Sequence, residues 1–372
     1  MPPRASVMES KIEQLLAAPP FSPRAEKEPL FLEAMHEAVS FHQTHCPFYG
    51  GFLSANHFRG RLGALQDLPP LPVSIFKERT LVSVPEADIV KVTHSSATSS
   101  GTPSTIMIDA VTRDRQRRAL SQIMVSLLGE ERRPFIIVDN RETLFPAGGE
   151  LSSRATTIRG LLSFSSGFFC ILNPDFSLNT DLLGAALKRC GSRPAVFFGV
   201  TTVLYEVWKR YKDDISVKGI FGEFLSPSVL LSGGWKKLAS LEVGQEEFKN
   251  GLARFFSTDR NRIIDFYGMI EQPGVIYPEC EHGYKHVPTC GEVLIRDTKT
   301  MESLSAGNEG MIEVVCPLAH SYPGIALLTD DVGKLEGYDD CACGRGGAYF
   351  SFVRRAPQAE AKGCADTLMM PE

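Results

Sequence analysis

Between residues 88 and 267, short apolar runs alternate with amphipathic stretches, and no other feature limits the fold as much. The runs "PFIIVD", "PAVFFGV", "SVLLSGG" and "RIIDFYG" are each short enough to be a buried strand. Stretches such as "TTVLYEVWKRY" and "QEEFKNGLARFF" between them carry apolar residues at helical spacing. Apolar strands with helices between them predict an α/β fold with a largely parallel sheet covered on both faces.

The flanks read differently. Up to about residue 70 the chain is helical in pattern, with Leu30, Phe31, Ala34, Met35, Ala38 and Phe41 along one stripe. The three prolines of "LPPLPVSIFKERTL" end that pattern. After residue 290 the helices stop, and "GEVLIRD", "GMIEVVC" and "GIALLT" read as strands with Gly turns. The expected division is therefore a helical segment over 1–70, an α/β body over 71–290 and a β-rich subdomain over 291–372.

Composition narrows the function. The 372 residues are 43% hydrophobic and 22% charged, enough apolar material for a packed core. A net charge of −5 argues against nucleic acid and anionic membranes as partners. No apolar stretch reaches 18 residues, so no membrane span is expected. The N-terminus lacks an apolar signal core, and the expected location is the cytoplasm. Nine cysteines, an odd number, do not suggest a disulfide framework. Cys46, Cys170, Cys190, Cys290 and Cys316 read as small buried apolar residues. The cluster "RDRQRR" at 113–118 reads as a solvated face of a helix capped by Thr112.

The loop in "SSATSSGTPSTIMIDAVT", residues 95–112, sits between the strands "DIVKVTH" and "STIMID". Ser99, Ser100, Gly101, Thr102 and Ser104 offer hydroxyls and unhindered N–H groups, the material of an anion nest or of a plain linker. No "GK[ST]" follows, so this is not a P-loop. Further along stand Gly233-Gly234, Tyr267-Gly268-Met269-Ile270-Glu271, Thr329-Asp330-Asp331 and Gly344-Arg345.

In that order, the five stretches resemble the adenylate-forming superfamily, which activates carboxylates with ATP, over about residues 70–364. The resemblance implies a large N-terminal α/β domain with mostly parallel sheets and a small β-rich subdomain. It implies that Ser99, Ser100, Gly101, Thr102, Ser104, Gly233 and Gly234 belong to the nucleotide site. Gly268 would belong to the same nucleotide site, Tyr267 would offer an aromatic face to adenine, and Asp331 would accept hydrogen bonds from the ribose hydroxyls. Glu271 would hold Mg²⁺, a hard cation suited to carboxylate oxygen. Arg345 would lie near phosphate or ribose. Two departures stand out: the loop has no lysine, and Ile270 replaces a usual Thr.

Many members carry a further C-terminal subdomain with a catalytic lysine. Only 27 residues follow Arg345 (372 − 345), so that subdomain is expected to be missing. Chain length, Phe76-Lys77 and Cys364 near the end resemble a narrower group, the bacterial acyl-protein synthetases that serve a fatty-acid reductase. That resemblance implies transfer of a fatty-acyl group from the adenylate to Cys364, and from there to an acyl-CoA-reductase-like partner. Lys362, Arg354 and Arg355 would favour the thiolate, and Gly363 would allow movement. Two alternatives stay open: a ligase for acyl- or aryl-CoA or a carrier protein, and a nucleotide-binding scaffold without catalysis. The Phe-rich "LLSFSSGFFC" at 161–170 suits either an acyl pocket or a core strand.

A second constellation is made of soft ligands. Cys341 and Cys343 of "CACGR", with Cys280, His282 and His286 of "ECEHGYKH", could supply a tetrahedral Zn²⁺ site. Cys280, His286, Cys341 and Cys343 are the preferred four. Some phenylacetate–CoA ligase relatives have similar elements.

Overall fold

A computed structural model describes residues 10–95, 103–147, 152–233, 244–357 and 368–370. Tertiary contacts gather the chain into two compact units. One takes residues 1–123, 268–277 and 284–372; the other takes residues 124–267 and 278–283.

The second unit carries the parallel sheet. Its strands Ser165–Leu172, Arg133–Asn140, Val196–Val200, Ser228–Ser232 and Ile263–Tyr267 lie side by side in that order, every pairing parallel. Seven of the eight residues of Arg133–Asn140 are buried, as a strand covered on both faces requires. Helices Thr180–Cys190, Thr201–Tyr211 and Gln245–Phe255 supply the cover. The first of these starts where the Asn179 side chain accepts the Leu182 N–H and stops at Gly191, whose φ is +56°. The core between is aromatic: Phe197 meets Phe221, Phe224 and Phe256 with ring centroids 5.5, 5.1 and 4.7 Å away. Of the "LLSFSSGFFC" stretch, Leu161 and Leu162 end the helix Ser153–Leu162 and residues 165–170 lie in the edge strand Ser165–Leu172, with Cys170 buried and Phe168 half-buried against Phe145.

The first unit begins with helices Lys11–Ala17, Arg24–His45 and Pro47–Ala55, as the sequence pattern predicts. The buried stripe of the long helix is Lys27, Phe31, Ala34, Met35, Ala38, Val39 and His42, while Leu30 and Phe41 stay half-buried. Two polar residues enter that stripe because each finds partners: Lys27 pairs with Glu292 at 2.9 Å, and His42 bonds Ser83 Oγ at 2.7 Å and the Ala319 carbonyl at 3.0 Å. An antiparallel sheet runs Lys285–His286, Ala348–Arg355, Ala326–Tyr338, Glu309–Val315, Glu292–Arg296. Leu71–Pro72 joins it parallel to Ala326–Tyr338, Leu71 facing Leu327. Inside, Arg296 Nε bonds Glu313 Oε2 at 2.5 Å, both fully buried.

The hairpin Ile89–His94 with Thr105–Asp109 frames the Ser/Thr/Gly loop as the sequence suggests. Two readings nearby need correction. The helix Ala110–Leu128 begins two residues before Thr112, and the cap is Asp109, whose Oδ1 accepts the Thr112 N–H at 2.8 Å. Nor is "RDRQRR" simply a solvated face, because Arg115 is buried and binds Glu13 at 2.8 Å. Glu13, on the first helix, also takes Arg118. All five cysteines read as buried apolar residues are buried. No helix among the described residues is long and apolar enough to cross a membrane.

Candidate active site and Cys/His cluster

Ser104, Glu271 and Asp330 come together in the first unit. Ser104 closes the loop just before the strand Thr105–Asp109; its N–H donates to Ser95 Oγ at 2.7 Å, and its hydroxyl is fully buried. Glu271 is 7% exposed. Burial pushes its carboxyl above the usual range, and neighbouring Asp330 adds to this. The Ser104 hydroxyl, the backbone and the Lys77 ammonium pull the other way. Ser104 lies near enough to favour the carboxylate, yet its Oγ makes no well-formed hydrogen bond. A buried carboxylate beside an unsatisfied hydroxyl is a place where a cation and an anionic oxygen would both find ligands.

The turn that carries Glu271 is firmly tied. Tyr322 Oη donates to the Glu271 carbonyl at 2.9 Å, and Gln272 Nε2 donates to the Gly324 carbonyl at 2.9 Å. Gly274 follows with φ +86°, and a Cβ there would lie 2.6 Å from both Cβ and the carbonyl oxygen of Gln116. Only glycine lets this turn lie so close to the helix Ala110–Leu128.

Thr329, Asp330 and Asp331 lie on the strand Ala326–Tyr338. The Thr329 hydroxyl donates to the Ile312 carbonyl at 2.7 Å and accepts the Asp331 N–H at 3.2 Å, which fixes the local backbone. Asp330 pairs with Arg355 at 3.1 Å. Asp331 stands in register with Arg355 on the adjacent strand.

Other motif residues fall elsewhere. In the second unit, Gly233 turns with φ +93°, and its carbonyl accepts the Thr201 hydroxyl at 2.7 Å. Tyr267 is half-buried at the end of the strand Ile263–Tyr267. Gly268 follows it, at the start of the segment that leads to Glu271. Ser99, Ser100, Gly101, Thr102, Gly234 and Cys364 lie outside the described residues. An open groove of about 690 Å³ in the second unit, bordered by Arg154, Phe176, Val203 and Arg210, contains none of the motif residues.

The four soft ligands converge. The ligand atoms of Cys280, His286, Cys341 and Cys343 all lie within 4.8 Å of one another. Cys343 Sγ is 3.2 Å from His286 Nε2. Two similar turns account for this. The Gly283 N–H bonds the Cys280 carbonyl at 3.0 Å, and the Gly344 N–H bonds the Cys341 carbonyl at 3.0 Å. Both glycines have positive φ, +83° and +79°. The repeated Cys-x-x-Gly spacing was therefore a readable signal of paired turns. Three thiols and one imidazole, mostly buried, suit Zn²⁺. His282 is not part of the group.

Arg345 is placed with these cysteines, its guanidinium 5.8 Å from the ring of Phe21, which in turn meets His286 edge-on. Its Nη1 is buried without a hydrogen bond. Lys77 is the residue that the motifs did not assign. It appeared in the sequence only as part of Phe76-Lys77, and it brings positive charge to Glu271 from the short helix Ile75–Glu78.

Known proteins resemble this chain in sequence and in fold. A sequence profile of the acyl-protein synthetase (LuxE) family matches residues 5–370. A long-chain-fatty-acid–luciferin-component ligase of Vibrio harveyi is 23% identical over 302 residues, 81% of this chain and 77% of that protein. One from Aliivibrio fischeri is 23% identical over 341 residues, 89% and 85% of the two chains. Among solved structures, an open conformation of 2-hydroxyisobutyryl-CoA ligase in complex with 2-HIB-AMP and CoA aligns with a TM-score of 0.68 at 16% identity, over 90% of this chain and 71% of that one. The same ligase in its postadenylation state gives 0.67 at 17% identity, over 95% and 72%. This second likeness is one of fold. The profile match over nearly the whole chain decides the family: the chain belongs to the acyl-protein synthetase (LuxE) family of acid–thiol ligases.

Proposed function

We propose that this protein activates a long-chain fatty acid with ATP, takes the acyl group onto Cys364 and delivers it to an acyl-CoA-reductase-like partner in the cytoplasm. The observation that carries the reading is the gathering of Ser104, Glu271 and Asp330 in a chain of this family. The fatty acid is suggested by the names of the two curated relatives.

In the first half-reaction the carboxylate oxygen attacks the α-phosphorus of ATP and pyrophosphate leaves. Mg²⁺, when bound, screens the phosphate charge. Glu271 would hold it, its carboxyl drawn to the charged form by the cation. Ser104, with Ser99, Ser100, Gly101 and Thr102, would donate to phosphate oxygens, while Gly233 and Gly234 would let the backbone approach the nucleotide. Asp331 would accept from ribose hydroxyls and Tyr267 would stack on adenine. Arg345 stands outside this assignment. With the cysteines, it would instead flank a structural Zn²⁺ held by Cys280, His286, Cys341 and Cys343.

In the second half-reaction the Cys364 thiolate attacks the acyl carbonyl carbon, the C–O bond to phosphate breaks and AMP leaves. Lys362 would stabilise the thiolate. The test is to incubate the protein with Mg²⁺, ATP and radiolabelled tetradecanoate, then separate it on a denaturing gel. A label removed by hydroxylamine and absent in Cys364→Ser is expected. Full labelling of Cys364→Ser refutes the role of Cys364, and loss of acid-dependent pyrophosphate exchange in the wild type refutes adenylation.

A further inference from the structure

The loop that ends at Ser104 offers hydroxyls and N–H groups but no lysine, although a triphosphate brings more negative charge than one Mg²⁺ cancels. A cation comes from a separate element. Lys77 stands on the short helix Ile75–Glu78, whose Ile75 and Phe76 are buried while Lys77 is half-buried. Contacts on both sides fix where this helix lies. Just before it, Leu71 and Pro72 pair with Leu327 and Leu328, and the Val73 N–H donates to the Leu328 carbonyl at 2.9 Å, next to Thr329 and Asp330. Phe76 meets the ring of Tyr322 edge-on, with centroids 6.0 Å apart. Tyr322 in turn holds the Glu271 carbonyl at 2.9 Å. The helix is thereby held beside both the Thr329-Asp330 stretch and the Glu271 turn, all in the first unit, and the Lys77 charge is felt at Glu271.

The fold itself makes little use of this ammonium. Among the described residues Lys77 joins no ion pair, and its side chain makes no hydrogen bond. The buried Lys27 and Lys249 differ: each meets a glutamate, Glu292 and Glu279. Arg355, another cation near Asp330, is already engaged by the Asp330 carboxylate at 3.1 Å. Glu271 and Asp330 make the surroundings acidic, so phosphate groups arriving there need a cation besides the metal. Lys77 is suited to that task, because an ammonium is a compact charge on a flexible stem.

We propose that Lys77 is a catalytic residue for adenylation: its ammonium donates to oxygens of the β- and γ-phosphates and replaces, from a separate helix, the cation that the loop lacks. This rests on the reading of the site as one that activates a carboxylate with ATP. As the carboxylate oxygen bonds to the α-phosphorus, the bond from that phosphorus to the bridging oxygen breaks, and its electron pair leaves with pyrophosphate. Lys77 gives up no proton in this step. It meets the charge that grows on the leaving group, so it favours the transition state more than the bound substrate.

The experiment compares the full-length wild type with Lys77→Met, which keeps the stem and removes the charge, and with Lys77→Arg, which keeps the charge. Glu78→Gln, at an exposed neighbour on the same helix, is the control. Acid-dependent pyrophosphate exchange with tetradecanoate gives kcat and the KM values for ATP and acid. Calorimetric titration with ATP and with AMP, each with Mg²⁺ and without fatty acid, gives affinity without turnover. Lys77→Met is expected to melt close to the wild type, since the side chain is half-buried and joins no ion pair among the described residues. Its kcat should fall about 10²-fold, with ATP bound about tenfold more weakly and with AMP affinity and acid KM within about twofold of wild type. Lys77→Arg should recover at least about a tenth of the wild-type exchange, and Glu78→Gln should match the wild type. Exchange by Lys77→Met within about twofold of wild type overturns the proposal. Equal weakening of ATP and AMP also overturns it, because the loss then does not lie at the β- and γ-phosphates. A raised acid KM with ATP binding intact puts Lys77 at the carboxylate and refutes the phosphate contact. A wild type that binds ATP but shows no acid-dependent exchange refutes adenylation instead, and the ATP and AMP titrations of Lys77→Met then still decide the contact.

Discussion

Tyr322 reaches across 51 positions to donate its hydroxyl to the backbone carbonyl of Glu271, so the turn bearing the candidate metal-binding carboxylate is fixed from outside its own segment. Tyr322 is fully buried, and without that bond the carbonyl would lose its polar partner. Tyr322→Phe is expected to cost about 1–2 kcal/mol in urea unfolding. Its acid-dependent exchange should fall more than the stability loss alone explains, because the Glu271 turn loosens.

Glu271→Gln tests the carboxylate with little change of shape. Burial already disfavours the charge at this position, so the amide folds without penalty. The melting temperature should stay at or above wild type. Acid-dependent pyrophosphate exchange should fall by about 10²-fold, the scale of losing one group that stabilises transferring charge.

His42 predicts a pH response of stability. Burial holds its pKa down to about 3, and the ring is neutral with both nitrogens bonded. Unfolding releases it to its ordinary value near 6.5, so the unfolded chain binds the proton first. Its contribution is therefore complete above about pH 6.5 and shrinks by up to about 1.4 kcal/mol per pH unit below that, towards pH 3. Urea unfolding between pH 7 and 4.5 should show this slope, and His42→Gln should flatten it.

The Cys/His group predicts about one Zn²⁺ per chain by elemental analysis of protein purified without chelator. Cys341→Ser or His286→Ala should lower that content sharply and reduce the melting temperature. Cys46→Ala, a buried thiol outside the group, should leave the metal content unchanged.

Gly274→Ala places a Cβ in a left-handed turn 2.6 Å from the Gln116 backbone. A loss of about 1–3 kcal/mol is expected in unfolding experiments. Gly283→Ala has the same backbone strain but no neighbour within 4 Å, and should cost less.

The strands of the parallel sheet were legible because each is a short apolar run covered on both faces, and Phe197 or Ile136 has no other place to go. The charged residues of the core were not. Lys249 is buried only because Glu279, thirty positions on, meets its ammonium, and pairing at such separation leaves no periodic trace. Arg115 was misread for the same reason, its partner Glu13 lying 102 residues away. The strand Ala348–Arg355 was not foreseen, because "AYFSFVRR" mixes exposed and buried positions without strict alternation. In the site, Glu271 and the Cys/His ligands could be named from motif and spacing. The neighbourhood of Lys77 could not, since it rests on a fold that brings a short helix to a distant turn.

The parallel pairing of Leu71–Pro72 with Ala326–Tyr338 also bears on synthesis. Leu71 waits for Leu327, 256 residues later, before its backbone hydrogen bonds can close. The nascent first segment thus leaves the ribosome as helices without their sheet. The contiguous stretch 124–267 can assemble its strands from near neighbours in the meantime. Folding of this chain should accordingly run from the middle outward, with the earliest residues among the last to lock, and a ribosome-stalled chain ending before residue 326 should protect its parallel sheet from protease while its first seventy residues remain cleavable.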